Sequence, residues 1–328
     1  METRNRARRN RCVAARGGAS FVHLPKVSSV DVTHFSDPGC PWAWSASPAL
    51  AVLQWRYGDQ LAWRHTMIGL TEHGSEYEQR GYTGEGMALG YRSFRMRGMP
   101  FAVAPRGRVH GTGPMCRVVV AARLRDPELE WPVFRALQFA QFTTTLALDD
   151  PEGLEAALAW LPGADAAALV AAFTDPETEA AFAADRAAAR SAAGSPTEFQ
   201  GKSATTPQGE IRFTAPSLVF EAPDGRRLEA GGFQPVEAYD VCIANLDRTL
   251  ERRPPAEDPA VILPEFPAGL TTAEVAAVMA PGNTPPDSDA AEDALIATVA
   301  AGGAERRAFG NDALWPPTGA AAALARAA

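Results

Sequence analysis

The sequence predicts an α/β fold whose sheet is interrupted by a helical insertion. Three observations predict it. A strand pattern at 30–35 is followed by a turn, a helix and a second strand pattern at 61–68. Residues 114–194 read as a block of helices, and strand patterning then returns around a hairpin turn near 217–230. A β-α-β unit closes as a right-handed parallel crossover, so the helical block sits as an insertion after it.

The first segment, VDVTHF at 30–35, alternates small or β-branched with polar side chains and runs into the turn cluster Ser36-Asp37-Pro38-Gly39. Pro41 suits the first position of a helix, where a missing N–H is not needed. That places the Cys40 side chain beside the amides of the helix start. Such amides and the helix dipole favour a thiolate, so the expectation is a pKa below the usual value of about 8.5. The helix should run to Tyr57 with Leu50, Leu53 and Trp55 as apolar positions, a kink at Pro48 and a stop at Gly58-Asp59.

Residues 74–113 break the pattern, with nine glycines among aromatic, Met and Arg side chains. They read either as an adaptable loop or lid whose arginines receive an anion, or as a surface insertion with solvated arginines. Helical periodicity follows at 115–125 and 132–142, and Asp150-Pro151 and Asp175-Pro176 each read as a cap with Pro in the first turn. Leu158, Trp160, Leu169, Val170 and Phe173 read as core, and Gly194-Ser195-Pro196 ends the block. The sheet resumes near Arg212, where 217–221 and 227–230 flank the turn Ala222-Pro223-Asp224-Gly225, and a helix over 235–250 closes it. Residues 254–267 hold five prolines and read as a linker. Beyond it Thr271-Thr272 caps a helix to Met279, Ser288 or Asp289 caps another to Ala300, and 304–315 forms a hairpin around Gly310-Asn311.

Strand, Asp37-Pro38-Gly39 turn, Cys40-Pro41-Trp42 and helix together resemble the active-site segment of DsbA-family thioredoxin-fold proteins, in the branch of FrnE-like and 2-hydroxychromene-2-carboxylate-isomerase-like members. The resemblance implies a thioredoxin-like fold with an inserted α-helical domain. It implies Cys40 as the catalytic thiol, with Pro41, Trp42, Ala215 and Pro216 around the substrate or thiol. It also implies a cis bond at Ala215–Pro216, against the cysteine. Redox members carry Cys-Pro-Trp-Cys, whereas Ala43 stands here at the second cysteine, so the family's internal disulfide cannot form at that site. Pro114-Met115-Cys116 looks like the family's Pro-Ala-Cys, which makes Cys116 either a second thiol or a small buried residue. Cys242 reads as core and Cys12 as incidental. The C-terminal segment resembles part of a winged helix. The domain expectation is a disordered basic leader over 1–28, thioredoxin-like halves at 29–73 and 201–253, and the insertion at 74–200 between them. A linker at 254–268, a small module at 269–318 and a tail at 319–328 complete it.

The chain has 328 residues, 46% apolar, with net charge −8. Residues 1–30 carry +6 and residues 255–328 carry −7. The acidity argues against nucleic acid as a partner, and in the C-terminal module only Arg306 and Arg307 oppose the acidic surface, which favours a packing or homodimer role. No apolar run suits a secretory signal or a membrane span, so a cytoplasmic protein is expected, with no membrane partner. Four scattered cysteines form neither a disulfide framework nor a metal cluster. His34 and His65, the bases nearest Cys40 in sequence, read as core or surface residues.

Three functions fit. The first is a thiol oxidoreductase using Cys40 by a monothiol route, without a bound cofactor and with glutathione or mycothiol as co-substrate; its partner is a small thiol, disulfide or electrophile. The second is a thiol-dependent isomerase or transferase of the kappa-class type. The third is a binding protein that kept the fold without redox chemistry.

Overall fold

The computed structural model describes residues 29–319 apart from 160, 162 and 283. The basic leader with Cys12, the expected core residue Trp160 and the tail from 320 lie outside the described residues.

Strand β1 (Val30–Ser36) leads through the turn into helices α1 (Pro41–Ser45) and α2 (Ser47–Tyr57), and β2 (Leu61–Met67) follows. The single helix expected here is broken at Ala46, because Pro48 in the first turn of α2 has no N–H to continue the hydrogen-bond ladder. β1 and β2 pair in parallel, Val30 opposite Leu61. The insertion contains α3 (Gly74–Gln79), α4 (Gly84–Phe94), α5 (Gly113–Arg125), α6 (Pro127–Thr143), α7 (Pro151–Leu158), α8 (Ala166–Ala171), α9 (Pro176–Ala189) and α10 (Pro196–Phe199). The sheet resumes after the hairpin β3 (Ser203–Thr205) and β4 (Ile211–Phe213), with β5 (Ser217–Glu221), β6 (Arg227–Gly231) and α11 (Val236–Leu246). Its order is β2-β1-β5-β6, with β5 antiparallel to both neighbours. Parallel β-α-β, helical insertion, then a β-hairpin and helix make this a thioredoxin-like fold with an inserted helical domain.

Several sequence expectations need correction. The stretch 74–113 is not all loop: His73 and Thr83 start α3 and α4, His73 through a box with Glu76 and Thr83 by accepting from the Gly86 N–H. Helix α6 starts at Pro127, capped by Asp126, and passes through Pro132 without ending. Asp150 and Asp175 do precede α7 and α9, yet neither side chain makes a cap hydrogen bond. Leu158, Leu169 and Val170 are core as expected, and Phe173 is partly buried.

The proline-rich stretch is not a loose linker. It folds in part into α12 (Pro259–Ile262), with Ala256, Ile262 and Leu263 buried. Trp55 donates to the Pro254 carbonyl at 2.9 Å and Arg253 lies over the Trp55 ring at 4.2 Å. β7 (Leu270–Thr271), α13 (Thr272–Met279), α14 (Ser288–Ala300), β8 (Arg307–Phe309) and β9 (Asp312–Trp315) complete the chain. Thr271 and Glu274 form a reciprocal capping box, whereas α14 is capped by Asp287, one residue ahead of the expected Ser288. The three short strands form a sheet of order β7-β9-β8. Apolar side chains of α2, Val52 and Trp55, share one core with Val275, Leu295 and Trp315. The C-terminal module is thereby built onto the back of the helix that follows the Cys40 turn.

Candidate active site

The Asp37-Pro38-Gly39 turn is fixed from its own carboxylate. Asp37 accepts from the N–H groups of Gly39 and Leu70, each at 2.8 Å, and from the Thr112 hydroxyl at 2.8 Å. Gly39 is required by close approach, since a Cβ there would stand 2.4 Å from the Thr112 methyl. The turn thus clips β1 to the chain after β2 and to the start of α5, and delivers Cys40 to the N-cap of α1 with Pro41 in its first turn.

Cys40 lies where the sequence places it, but in a different protonation state from the one expected. Its Sγ donates to the Ala215 carbonyl at 3.1 Å, and the Ala215–Pro216 bond is cis. The thiol pKa is pushed up to about 11, chiefly by burial and also by the Asp37 charge; the first-turn amides of Ala43 and Trp42 and the Arg212 guanidinium pull the other way. The expected lowering by the helix start is present and is outweighed, because the residue is only 6% exposed. At rest the residue is a protonated thiol with a carbonyl partner.

That thiol forms part of the wall of a cleft of about 420 Å³, whose lining includes Trp42, Leu70, Lys202, Arg212, Ala215 and Phe233. Trp42 is 40% exposed and offers the cleft an apolar ring. The Arg97 guanidinium lies 4.2 Å from the Trp42 ring and 5.1 Å from the Phe233 ring, and Phe94 packs edge-on against Trp42. Phe94, the last residue of α4, and Arg97 just beyond it thus cover rings that line the cleft.

Of the residues expected at the site, Cys40, Trp42 and Ala215 come together, with Pro41 and Pro216 adjoining them in the chain. Cys116 does not join them. It is fully buried on the far side of the turn, where its Sγ donates to Asp37 at 3.5 Å, and its own pKa is raised, first by burial and then by the Asp37 charge. Cys242 is partly buried against the core of the sheet. His34 and His65 are both buried and pair through their Nδ1 atoms at 3.3 Å. Burial and then the field of His65 hold His34 far below the usual histidine range, and burial and then the Arg123 charge hold His65 down to about 3, so both stay neutral. Their ring neighbours are Trp131 and Phe134, and they are core residues.

Sequence reading missed Arg212 and Lys202, whereas Arg97 is one of the arginines of 74–113 read there as able to receive an anion. Arg212 stands three residues before Ala215, and distance from the proline is the one signal that marked it. Lys202 and Arg97 reach the cleft only through tertiary packing. Among the described residues no group of His, Cys, Asp and Glu could hold a metal ion.

No family model and no curated protein matches the chain. Solved structures do. A candidate protein disulfide isomerase of Nitrosomonas europaea is 21% identical, with TM-score 0.49, covering 66% of this chain and 97% of that one. The cytosolic disulfide reductase DsbM of Pseudomonas aeruginosa is 20% identical, with TM-score 0.46, over 66% of this chain and 100% of its own. A candidate DsbA oxidoreductase of Streptomyces coelicolor is 17% identical, with TM-score 0.48, over 66% and 89%. No helix among the described residues is long and apolar enough to cross a membrane.

Proposed function

We propose that the protein is a thiol-disulfide oxidoreductase that works through Cys40 alone. The observation that carries this reading is the position of the Cys40 sulfur, at a helix start, 3.1 Å from the carbonyl before Pro216, in the wall of an open cleft. A small disulfide entering the cleft over Trp42 meets that sulfur. Cys40 gives its proton to solvent, its sulfur bonds to one sulfur of the substrate, the substrate S–S bond breaks, and the departing thiolate takes up a proton. Ala43 offers no second thiol, so a low-molecular-weight thiol such as glutathione or mycothiol attacks the mixed disulfide and restores Cys40. A reducing compartment, the cytoplasm, supplies such thiols.

The raised pKa sets the working condition. With a value near 11, roughly one molecule in ten thousand is thiolate at pH 7, so an occupied cleft must favour ionisation for turnover to be fast. An extended substrate whose N–H takes over the Ala215 carbonyl removes the thiol's acceptor, and Arg212 and the first-turn amides then favour the thiolate. The same pKa favours a second reading, a binding protein in which Cys40 is a buried structural thiol. Turnover of a mixed disulfide in the presence of glutathione separates the readings. The oxidoreductase reading expects turnover in the wild type and none in Cys40→Ser. A transferase or isomerase that activates a bound thiol would keep its activity in Cys40→Ala, and a binding protein would show none in either form.

A further inference from the structure

Beside the Cys40 cleft lies a second cavity of about 510 Å³, and the two share Leu70 and Arg212 in their walls. Its lining brings four guanidinium groups together: Arg80 after α3, Arg186 and Arg190 around the end of α9, and Arg212 on β4. Two carboxylates also line it, but both are committed elsewhere. Glu72 pairs with Arg117 at 2.6 Å, and Glu76 accepts from the N–H groups of Glu72 and His73 at 2.7 and 3.0 Å. Glu210 holds Arg190 at 3.4 Å. Among the described residues Arg80, Arg186 and Arg212 enter no ion pair, while the ion pairs nearby belong to Arg117 and Arg190.

Gathered positive charge is unfavourable unless something balances it. Arg190 and Arg212 both lie below the ordinary arginine range, first because they are partly buried. Arg186 and Arg212 push Arg190 the same way while Glu210 opposes them, and Arg80 pushes Arg212 the same way while Asp37 opposes it. Two carboxylates, Glu210 beside Arg190 and Asp37 acting on Arg212, offset four guanidinium groups that line a cavity roomy enough for a small molecule. Guanidinium is the group best shaped to take a carboxylate through two parallel hydrogen bonds.

We propose that this cavity is an anion subsite that holds the carboxylates of a small acidic thiol or of its disulfide while the sulfur of the same molecule reaches Cys40 in the adjoining cleft. The proposal rests on the reading of Cys40 as the exchange nucleophile and adds the substrate class: acidic thiol compounds over neutral or basic ones. Arg212, common to both cavities, joins the two halves of the site. The chemical step is the exchange already described, with no net oxidation; the subsite contributes binding and orientation.

Two measurements on the full chain test it. In the first, Cys40 is modified at fixed pH and low salt by a dianionic aromatic disulfide, 5,5′-dithiobis(2-nitrobenzoate), and by a neutral one, 4,4′-dithiodipyridine, each rate being divided by that of a free cysteine peptide. The normalised rate should favour the dianion tenfold or more, and salt should erode the preference. In Arg80→Ala/Arg186→Ala the ratio should fall about tenfold, whereas Arg306→Ala/Arg307→Ala, which removes the same charge from the C-terminal module, should leave it alone. In the second, calorimetry follows binding of S-methylglutathione, which has two carboxylates and no thiol; the wild type should bind it at least tenfold more tightly than the Arg80→Ala/Arg186→Ala form. Exchange without anion preference, or binding indifferent to the two arginines, overturns the subsite. Arginine-dependent binding with no reaction at Cys40, even with the neutral disulfide, upholds the anion cavity and overturns the exchange chemistry.

Discussion

At the scale of the residue the site turns on Asp37. Its carboxylate satisfies two buried N–H groups and a hydroxyl, and its charge raises the pKa of the cysteine three residues on. Removing the carboxylate as Asp37→Ala takes the shortest acceptor from three donors and leaves the Gly39 N–H without one, which should cost about 3 kcal/mol in chemical denaturation. Asp37→Asn is the sharper experiment. It should move the Cys40 thiol pKa downward, because a charge that disfavours the thiolate is gone, and it should lower Tm because the new amide N–H₂ faces donors. An unchanged thiol pKa in a folded Asp37→Asn variant would contradict the electrostatics described here. The turn was legible in the sequence, since Asp-Pro-Gly before Cys-Pro specifies a bend and a helix start. Its depth was not. A linear pattern shows which amides approach a sulfur but not how much water the rest of the chain removes, and here desolvation decides the sign of the shift.

At the scale of the element, the insertion just after β2 does more than bridge. Thr83 starts α4, and the helix ends by laying Phe94 and Arg97 on Trp42. A cation over an exposed indole is worth about 0.5–1 kcal/mol, so Arg97→Ala should raise the rate of Cys40 modification by a bulky disulfide two- to fivefold while shifting Tm by a degree or two at most. A slower rate would show that Arg97 recruits substrate and does not roof it. The glycines of this stretch argued for a loop, and local propensity lost to two polar caps and to packing of Tyr91, Met99 and Phe101 against Trp44 and Phe142. By contrast β5, the Ala222–Gly225 turn and β6 sit almost where the alternating pattern placed them, because a hairpin is specified by contiguous residues. Arg212 and Lys202 illustrate the opposite case: each belongs to the site through folding alone.

At the scale of the whole molecule, the C-terminal module is part of the same body as the half that carries Cys40. Thr271 and Glu274 cap α13, and Glu274 also pairs at 2.6 Å with Arg135 on α6; both side chains are almost fully buried. Arg135 further donates to the Ser47 hydroxyl on α2 at 2.8 Å and lies 5.2 Å from the Trp44 ring, so one guanidinium ties insertion, active-site helices and module together. Breaking it as Arg135→Met strands a buried carboxylate and should cost about 3–5 kcal/mol; the double variant Arg135→Met/Glu274→Leu should recover a good part of that in the same denaturation experiment. The acidic composition of the module suggested packing over DNA binding. Its contact with α2 could not be read from sequence, because Val52 and Trp55 look like any apolar helical positions.

The pH profile of Cys40 itself tests the central claim most directly. The rate of mixed-disulfide formation between the full-length protein and a small neutral disulfide should be followed by intact mass from pH 6 to 10. Because burial holds the thiol protonated up to about pH 11, the account predicts a single adduct, on Cys40 and absent from Cys40→Ser. Its rate should climb about tenfold per pH unit across the whole range, and excess glutathione should release it. A rate that levels off at or below neutral pH, or an adduct on Cys116 or Cys242 in place of Cys40, would contradict it.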